Sequence, residues 1–228
     1  HPGWMIQQLA KLELAKTIET DYFFSFETDL FLTKPFNYNN LFNEDKKLIC
    51  SYYTDWEANI TKDDWHIWST ALVLPGVEVF NLHPKNKNEI VDKELKINKV
   101  MGVSPQVLIT KEILNLINHL EDTHKQNYID LLLRSTRGHP NTWTEYTLYW
   151  MWLYKTEKID EYYSFNPPFI SSNDLWGHRY RKGFGEKYFD EFDSLIMKNP
   201  NHYFNVVQSN IMEVSIERIA NKLKPYLK

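Results

Sequence analysis

Residues 21–32 of the 228-residue chain read DYFFSFETDLFL, and this stretch decides the fold class. The nearly continuous aromatic run over residues 21–26 has the length and composition of a strand that is buried on both faces, as in a sheet with helices on each side. The run ends abruptly in Glu27-Thr28-Asp29, before a second apolar stretch. We therefore expect a buried strand of an α/β sheet that ends in two carboxylates.

Helix-like and strand-like patterns alternate along the rest of the chain. A helix is predicted over residues 4–19, because Met5, Leu9 and Leu12 fall on one face at spacings of three and four. Further helices are predicted over 111–121, 127–134, 143–156 and 212–223, and strands over 48–53, 71–74 and 203–208. Residues 54–69 are predicted to form an irregular or weakly helical surface, and residues 166–187 a long loop. The alternation favours one α/β domain over residues 1–228.

Charge and composition argue against several classes of function. The chain has 26 basic and 30 acidic side chains and a net charge of −4, which argues against a general nucleic-acid binder because such proteins need a basic surface. No run of about 18 uncharged apolar residues exists, so no membrane span is expected. Cys50 is the single cysteine and cannot form an internal disulfide, which favours a reducing compartment and predicts a cytoplasmic location.

The two carboxylates after the first predicted strand indicate metal chemistry. In open α/β sheets, ligands bind outside the carboxyl ends of the strands. Glu27 and Asp29 offer hard oxygen ligands to Mg²⁺ or Mn²⁺, ions that keep coordination positions for substrate phosphates. A bound ion would offset the charge that builds on a leaving diphosphate. The alternative interpretation is a solvated turn in which two acids occur by chance.

Residues 3–36, GWMIQQLAKLELAKTIETDYFFSFETDLFLTKPF, resemble a family of viral and bacterial GT-A glycosyltransferases. Members of that family have a Gly-aromatic-x-x-Gln-Gln-x-x-Lys helix, then a strand that ends in an acid-x-acid motif, then an apolar stretch that closes in Pro-Phe. The matching positions here are Gly3, Trp4, Gln7, Gln8, Lys11, Glu27, Asp29, Pro35 and Phe36. Residues 101–117 are similar to the family's acceptor-side strand and helix, and residues 143–150 to its Ser/Thr-Glu-Tyr helix.

The resemblance implies a GT-A fold, in which a mostly parallel mixed sheet is flanked by helices. It also implies a nucleotide-sugar donor, Mn²⁺ or Mg²⁺ on the acid-x-acid motif, and glycosyl transfer to a hydroxyl of a glycan or related acceptor. In that fold the second acid usually carries most of the metal contact, so Asp29 ranks above Glu27, which stands where Asp is usual. Such domains normally begin with a strand that cradles the nucleotide base. None precedes His1, so we expect an N-terminally truncated domain.

Glu145 is the candidate catalytic base. The resemblance implies that it lies near the acceptor, where a carboxylate takes the proton from the attacking hydroxyl. The alternative is a capping box, in which Glu145 bonds back to the backbone N–H of Thr142. The two interpretations are compatible, because a capping Glu at a helix N-terminus can still face a cleft.

Three polar side chains of the first predicted helix are candidates for donor binding. Gln7, Gln8 and Lys11 lie one turn apart. The resemblance implies that this helix borders the donor site. From the residues alone, the same three side chains are also consistent with an exposed polar face.

The basic loop over residues 176–183 is a second candidate for donor binding. A flexible basic loop can close over a diphosphate, and Arg179 and Arg181 would then neutralise its charge. His178 is a candidate for a further metal ligand. The alternative is a solvated basic turn.

The sequence thus predicts a metal-dependent glycosyltransferase. A non-catalytic carbohydrate-binding or degenerate glycosyltransferase-like module is the alternative, supported by the missing base-binding strand and by the acid-rich segment that contains Trp56, Trp65 and Trp68. These tryptophans form either a sugar-stacking wall or a satellite hydrophobic cluster. A metal phosphohydrolase that uses the same two acids is a third hypothesis.

Overall fold

The chain is mixed α/β, as its sequence predicts. The computed structural model describes residues 2–28, 30–32, 34–50, 52–53, 64–74, 100–101, 105–136, 143–165, 172–175, 203–207 and 216–225. Contacts divide the chain into two compact units. The first unit comprises His1–Phe23, Tyr52–Gly102 and Leu108–Tyr162, and the second unit comprises Phe24–Ser51, Val103–Val107 and Tyr163–Lys228.

Most of the helical residues that the structure describes belong to the first unit. The helices are α1 (Pro2–Leu14), α2 (Asp64–Val73), α3 (Thr110–His124), α4 (Tyr128–Ser135), α5 (Glu145–Lys155), α6 (Ile159–Tyr162) and, in the second unit, α7 (Ile216–Leu223). The second unit also contains a 3-10 helix over Tyr38–Leu41. Within these described ranges, no helix is long and apolar enough to cross a membrane.

The strands form small sheets with both parallel and antiparallel pairing. They are β1 (Tyr22–Ser25), β2 (Leu30–Leu32), β3 (Leu48–Ile49), β4 (Tyr52–Tyr53), β5 (Val100–Met101), β6 (Gln106–Ile109), β7 (Tyr163–Ser164), β8 (Ser172–Leu175) and β9 (Phe204–Val207). β1 pairs with β6, β3 runs parallel to β7, and β4 runs antiparallel to β5. β9 lies between an antiparallel β2 and a parallel β8. The parallel character of the described sheets is therefore limited.

Helix α5 forms the centre of the first unit. Its sequence, EYTLYWMWLYK, is apolar on almost every side, a pattern typical of a helix surrounded by protein. Leu148, Tyr149, Trp150 and Met151 are all fully buried. α1, α2 and α3 pack against this helix. The residue that begins α5 is therefore held from several directions.

A buried carboxylate ties α3 to the chain segment that follows α5. Glu112 is completely buried and accepts hydrogen bonds from Lys158 Nζ at 2.7 Å, Trp152 Nε1 at 3.0 Å, Tyr162 Oη at 3.1 Å and Asn115 Nδ2 at 3.3 Å. Burial alone would raise the pKa of Glu112. The donated hydrogen bonds, with that of Lys158 the largest, outweigh burial and hold this pKa below its ordinary value.

An aromatic ring cluster lies in the second unit, beside β1 and β9. The Phe24 ring centroid is 5.6 Å from that of Phe36 and 5.4 Å from that of Phe204. Phe36 also meets Phe204 at 4.9 Å and Tyr203 at 5.3 Å, both edge to face. Offset and edge-to-face contacts of this kind stabilise an apolar interior beyond the area that they bury. The end of β1 is therefore supported by packed rings.

Within the described residues, the predicted helices and the strands predicted at 21–26 and 203–208 are confirmed, although α1 ends at Leu14 instead of residue 19. The predicted strand over 71–74 is wrong. Ala71, Leu72 and Val73 are the last turn of α2, and the Leu74 N–H donates to the Thr70 carbonyl at 2.8 Å. A short apolar run fits a buried strand and a buried helix equally well, so its periodicity could not decide between them.

Three other predicted segments also differ from the structure. Residues 64–69, predicted as part of an irregular or weakly helical surface, begin α2, and His66, Trp68 and Ser69 are buried there. The single strand predicted over 48–53 is two strands, β3 and β4, which pair with different partners. β8 lies inside the loop predicted over 166–187, and its sequence, SNDL, carries no apolar alternation that would have indicated a strand.

Replacing Glu112 by Gln should destabilise the protein by about 2 kcal/mol, because charge-assisted hydrogen bonds to the buried group become neutral ones. Urea unfolding at pH 7 measures this loss of stability.

Since folding lowers the pKa of Glu112, the contribution of Glu112 to stability is present above pH 4.5 and is lost as the pH falls through the pKa of the folded state. The difference between wild type and variant should therefore shrink in acid. Glu157→Gln, an exposed change on the same segment, should cost less than about 0.5 kcal/mol; an equal loss in both variants would contradict the prediction.

Candidate functional site

The first turn of α5 is capped by residues other than those predicted. Thr144 is the N-cap, and its Oγ1 accepts from the Thr147 backbone N–H at 3.1 Å. Thr147 Oγ1 accepts in return from the Thr144 N–H at 2.9 Å, which completes the capping box. The predicted capping role of Glu145 is therefore wrong, and Glu145 is the first residue of the helix proper.

Glu145 instead forms a buried ion pair with α1. Lys11 Nζ donates to Glu145 Oε1 at 2.6 Å, and the exposed fractions of the two side chains are 9% and 1%. Lys11 Nζ also lies 4.9 Å from the centre of the Tyr146 ring, a cation–π distance. The carboxylate lies at a helix N-terminus, where the helix dipole favours negative charge.

The neighbouring residue of α1 also contacts the start of α5. The Glu145 backbone N–H donates to Gln8 Oε1 at 3.3 Å, and Gln8 is almost completely buried. From α2, Ser69 Oγ lies 2.7 Å from Thr147 Oγ1. We call Gln8, Lys11, Ser69, Glu145 and Thr147 the α5 N-terminal cluster.

The cluster unites predicted residues of different roles. Gln8 and Lys11, predicted to bind the donor, both contact Glu145, predicted to act on the acceptor. Both are buried, so the alternative of an exposed polar face is wrong for them. Gln7 lies on the same helix and is half-buried.

The acid-x-acid motif lies in the second unit, and only its first acid is among the described residues. Glu27 is half-buried and comes two residues after the end of β1. Its backbone carbonyl accepts from the Leu30 N–H at 3.2 Å, which closes a turn. Asp29 lies outside the described residues. In the part of the chain that the structure describes, no group of three or more His, Cys, Asp or Glu side chains is arranged to hold a metal ion.

The basic loop cannot be placed, and the tryptophan segment is placed only in part. His178, Arg179, Arg181 and Trp56 lie outside the described residues. Trp65 is half-buried and stacks on Trp4, with ring centroids 6.0 Å apart. Trp68 is buried. The hydrophobic-cluster interpretation is therefore supported for Trp68, whereas the Trp4–Trp65 stack keeps some surface exposed.

Two histidines and a lysine hold the C-terminal end of α2, an arrangement that the sequence did not indicate. His119 Nε2 lies 2.7 Å from the Val73 carbonyl oxygen, and His124 Nε2 lies 2.9 Å from that of Leu72. Lys155 Nζ lies 3.3 Å from the Val73 oxygen and 3.0 Å from His119 Nε2. These contacts satisfy carbonyls that a helix end leaves without helical partners.

The same surroundings lower the pKa of His119. Burial is the largest cause, and the positive charges of Lys155 and His124 add to it. The hydrogen bond to the Val73 carbonyl and the charge of Asp122 act in the opposite direction and are outweighed. Burial lowers the pKa of Lys155 as well.

Comparison with protein families shows that the chain belongs to the family of unknown function DUF6492, whose model matches residues 2–228. No curated protein and no solved structure matches the chain.

Acidification should destabilise the protein through His119. Its pKa is lowered by folding, so the unfolded chain takes up the proton first and stability falls as the pH drops below about 6.5. Thermal unfolding of wild type and His119→Gln at pH 7.5 and 5.5 measures this. The wild type should lose more stability between these pH values than the variant; equal losses would show that His119 does not carry the effect.

The Lys11–Glu145 pair should show strong coupling. Lys11→Met or Glu145→Gln alone should cost about 3 kcal/mol, because each leaves a buried group without its counter-charge. The double variant should cost clearly less than the sum, as urea unfolding of the double-mutant cycle would show.

The exposed Lys16–Glu13 pair, in which Nζ and Oε1 are 2.7 Å apart, is the matched control. Its side chains are 42% and 40% exposed, so Lys16→Met should cost less than about 1 kcal/mol. If Lys11→Met lowers the free energy of unfolding no more than Lys16→Met does, the buried ion pair does not stabilise the contact between α1 and α5 as we infer.

Proposed function

We propose that the protein is a metal-dependent glycosyltransferase of GT-A type that moves a sugar from a nucleoside-diphosphate sugar to a hydroxyl of a glycan or related acceptor, in the cytoplasm. One observation carries the proposal. Gln8 and Lys11, the donor-side residues of the resemblance, contact Glu145, its acceptor-side residue, at 3.3 and 2.6 Å. Donor and acceptor must meet at one place for transfer, and this contact is consistent with such a place.

The residues after β1 fit a divalent ion by their chemistry. Glu27 and Asp29 carry hard carboxylate oxygens, which Mg²⁺ and Mn²⁺ prefer. Glu27 keeps part of its surface exposed after the strand ends, as a ligand to a substrate-bound ion requires. Mn²⁺ or Mg²⁺ bound there would supply positive charge against the leaving nucleoside diphosphate.

Lys11 has two roles in the proposed reaction. Without donor, its ammonium holds the Glu145 carboxylate. A donor diphosphate competes for the same ammonium, because phosphate oxygens also form charge-assisted hydrogen bonds. As Lys11 turns to the diphosphate, Glu145 is released to take the proton of the acceptor hydroxyl. Arg179 and Arg181 would add further positive charge at the diphosphate, and Gln7 further donor contacts.

A non-catalytic carbohydrate-binding module remains the second candidate, on a specific observation. Glu145 is only 1% exposed and is paired at 2.6 Å, which is also how a purely structural carboxylate is arranged. If the pair never opens, the chain has no base at this position. Sugar binding at another surface would then be its activity.

The proposed function predicts metal-dependent release of nucleoside diphosphate. Purified protein should release UDP or GDP from one member of a nucleotide-sugar panel in the presence of Mn²⁺ and an acceptor mixture, and should stop with excess chelator. Asp29→Asn should lower the rate by about 100-fold or more, because mutation of a group that stabilises transition-state charge costs this much. Glu27→Gln should cost less, since the second acid ranks first.

Glu44→Gln is the matched control, because Glu44 is an exposed acid of the same unit. Its rate should equal that of wild type. Full turnover by Asp29→Asn, or in excess chelator, would contradict the metal role. Metal-independent uptake of free glycan without any release of diphosphate would instead establish the binding module.

A further inference from the structure

Phe26 presents an aromatic ring to solvent at the end of β1. The residue is 61% exposed, although its neighbour Ser25 is buried. It directly precedes Glu27, the first acid of the motif. The second unit therefore places an exposed aromatic side chain and a carboxylate in adjacent positions of the chain.

The ring is supported by packed aromatic residues. The Phe26 centroid lies 5.8 Å from that of Phe24, with the rings tilted by 44°. Phe24 in turn contacts Phe36 and Phe204, and Phe204 is buried. One side of the Phe26 ring thus lies against Phe24, which is itself packed among other rings, and most of the residue is exposed.

We propose that Phe26 is the stacking platform for the pyranose ring of the sugar substrate, with Glu27 accepting hydrogen bonds from hydroxyls of the same sugar. A pyranose has an apolar C–H face and a rim of hydroxyl groups. Such a ligand needs an aromatic surface beside a few polar groups, which is the usual composition of a small-molecule site. That this sugar is part of a nucleotide-linked donor rests on the proposed function.

The small exposed area at Phe26 favours a single sugar ring over a protein as the ligand. A stable protein partner needs about 800 Å² on each side. One exposed phenyl ring, with a carboxylate on the next residue of the chain, provides only a fraction of that area, but the ring matches the face of a single sugar. The carboxylate is also better suited to hydroxyl donors than to an apolar protein surface.

The experiment separates the sugar from the rest of the donor. Isothermal titration calorimetry with Mn²⁺ measures Kd for UDP-glucose, UDP-galactose, UDP-N-acetylglucosamine and GDP-mannose, and for UDP and GDP alone. The same set of variants is titrated without metal against free glucose and galactose oligosaccharides. Phe26→Leu removes the ring but keeps an apolar side chain, and Phe26→Trp keeps a ring. Tyr38→Leu is the control, because Tyr38 is a second exposed aromatic residue, 63% exposed, whose ring lies against Phe42.

Phe26→Leu should weaken binding of the preferred sugar ligand by about fivefold, and Phe26→Trp should restore it, because an aromatic contact contributes about 1 kcal/mol. Binding of UDP or GDP alone should not change. Tyr38→Leu should bind like wild type. Because Phe26 is exposed, the thermal midpoints of its variants should match that of wild type.

The remaining results separate the two proposals. Metal-dependent binding of a nucleotide sugar that Phe26→Leu leaves unchanged overturns the platform but not the glycosyltransferase. Metal-independent binding of free oligosaccharide that Phe26→Leu weakens overturns the glycosyltransferase but not the platform. An equal loss in Phe26→Leu and Tyr38→Leu overturns the platform alone, and no binding of any ligand by wild type overturns both proposals.

Discussion

The ion pair between Lys11 and Glu145 fixes how α1 is placed against α5. The two residues are 134 positions apart in sequence, and their charged atoms meet at 2.6 Å with almost no access to water. Either charge alone would be costly at this depth, so the first unit keeps both only in an arrangement that joins them. Gln8 adds a hydrogen bond to the same helix end, and α5 then extends from that fixed point through the middle of the unit.

A pair of this kind is both a structural element and a potential constraint on chemistry. An apolar pair of similar volume would often stabilise a protein as well or better, so the retention of two buried charges calls for a further reason. A lysine that can move to an anionic ligand provides one, since the ion pair then responds to what is bound. Under the proposed function, the same contact would keep the carboxylate inactive until the donor is in place.

Much of the local structure could be predicted from the sequence, because short-range patterns determine it. The aromatic run before Glu27 predicts the strand β1, and the apolar stripe of residues 111–121 predicts the helix α3, and the structure contains both. Segments whose structure depends on distant partners could not be predicted in this way. Residues 71–73 are helical because they continue α2 within a buried layer, and β8 is a strand because β9 pairs with it. Neither reason is visible in the segment itself.

The candidate site shows the same division between local and distant information. The acid-x-acid motif and the polar positions of α1 are visible in a short window of sequence, so both can be named as candidates from the sequence alone. A local capping box was one of two interpretations of Glu145, and it is wrong, because helix α5 is capped by Thr144 and Thr147. The sequence gives no sign that the Glu145 carboxylate pairs with Lys11. The histidines at the end of α2 were missed for the same reason, because their partners are backbone carbonyls far along the chain.

The two candidate functions differ in what they require of the buried pair. An exposed ring at Phe26 and a carboxylate at Glu27 would serve a sugar equally well in an enzyme and in a binding module. Transfer needs one thing more, a group that accepts the proton of the acceptor hydroxyl at the moment of reaction. Glu145 meets that need only if Lys11 leaves it. The free energy for this change must come from the ligand, because a ligand shifts an equilibrium only by the difference in its affinity for the two states. The negative charge of a diphosphate would provide such a difference, whereas a neutral glycan would not. Under the proposed function, the charge of the ligand therefore decides between catalysis and simple binding.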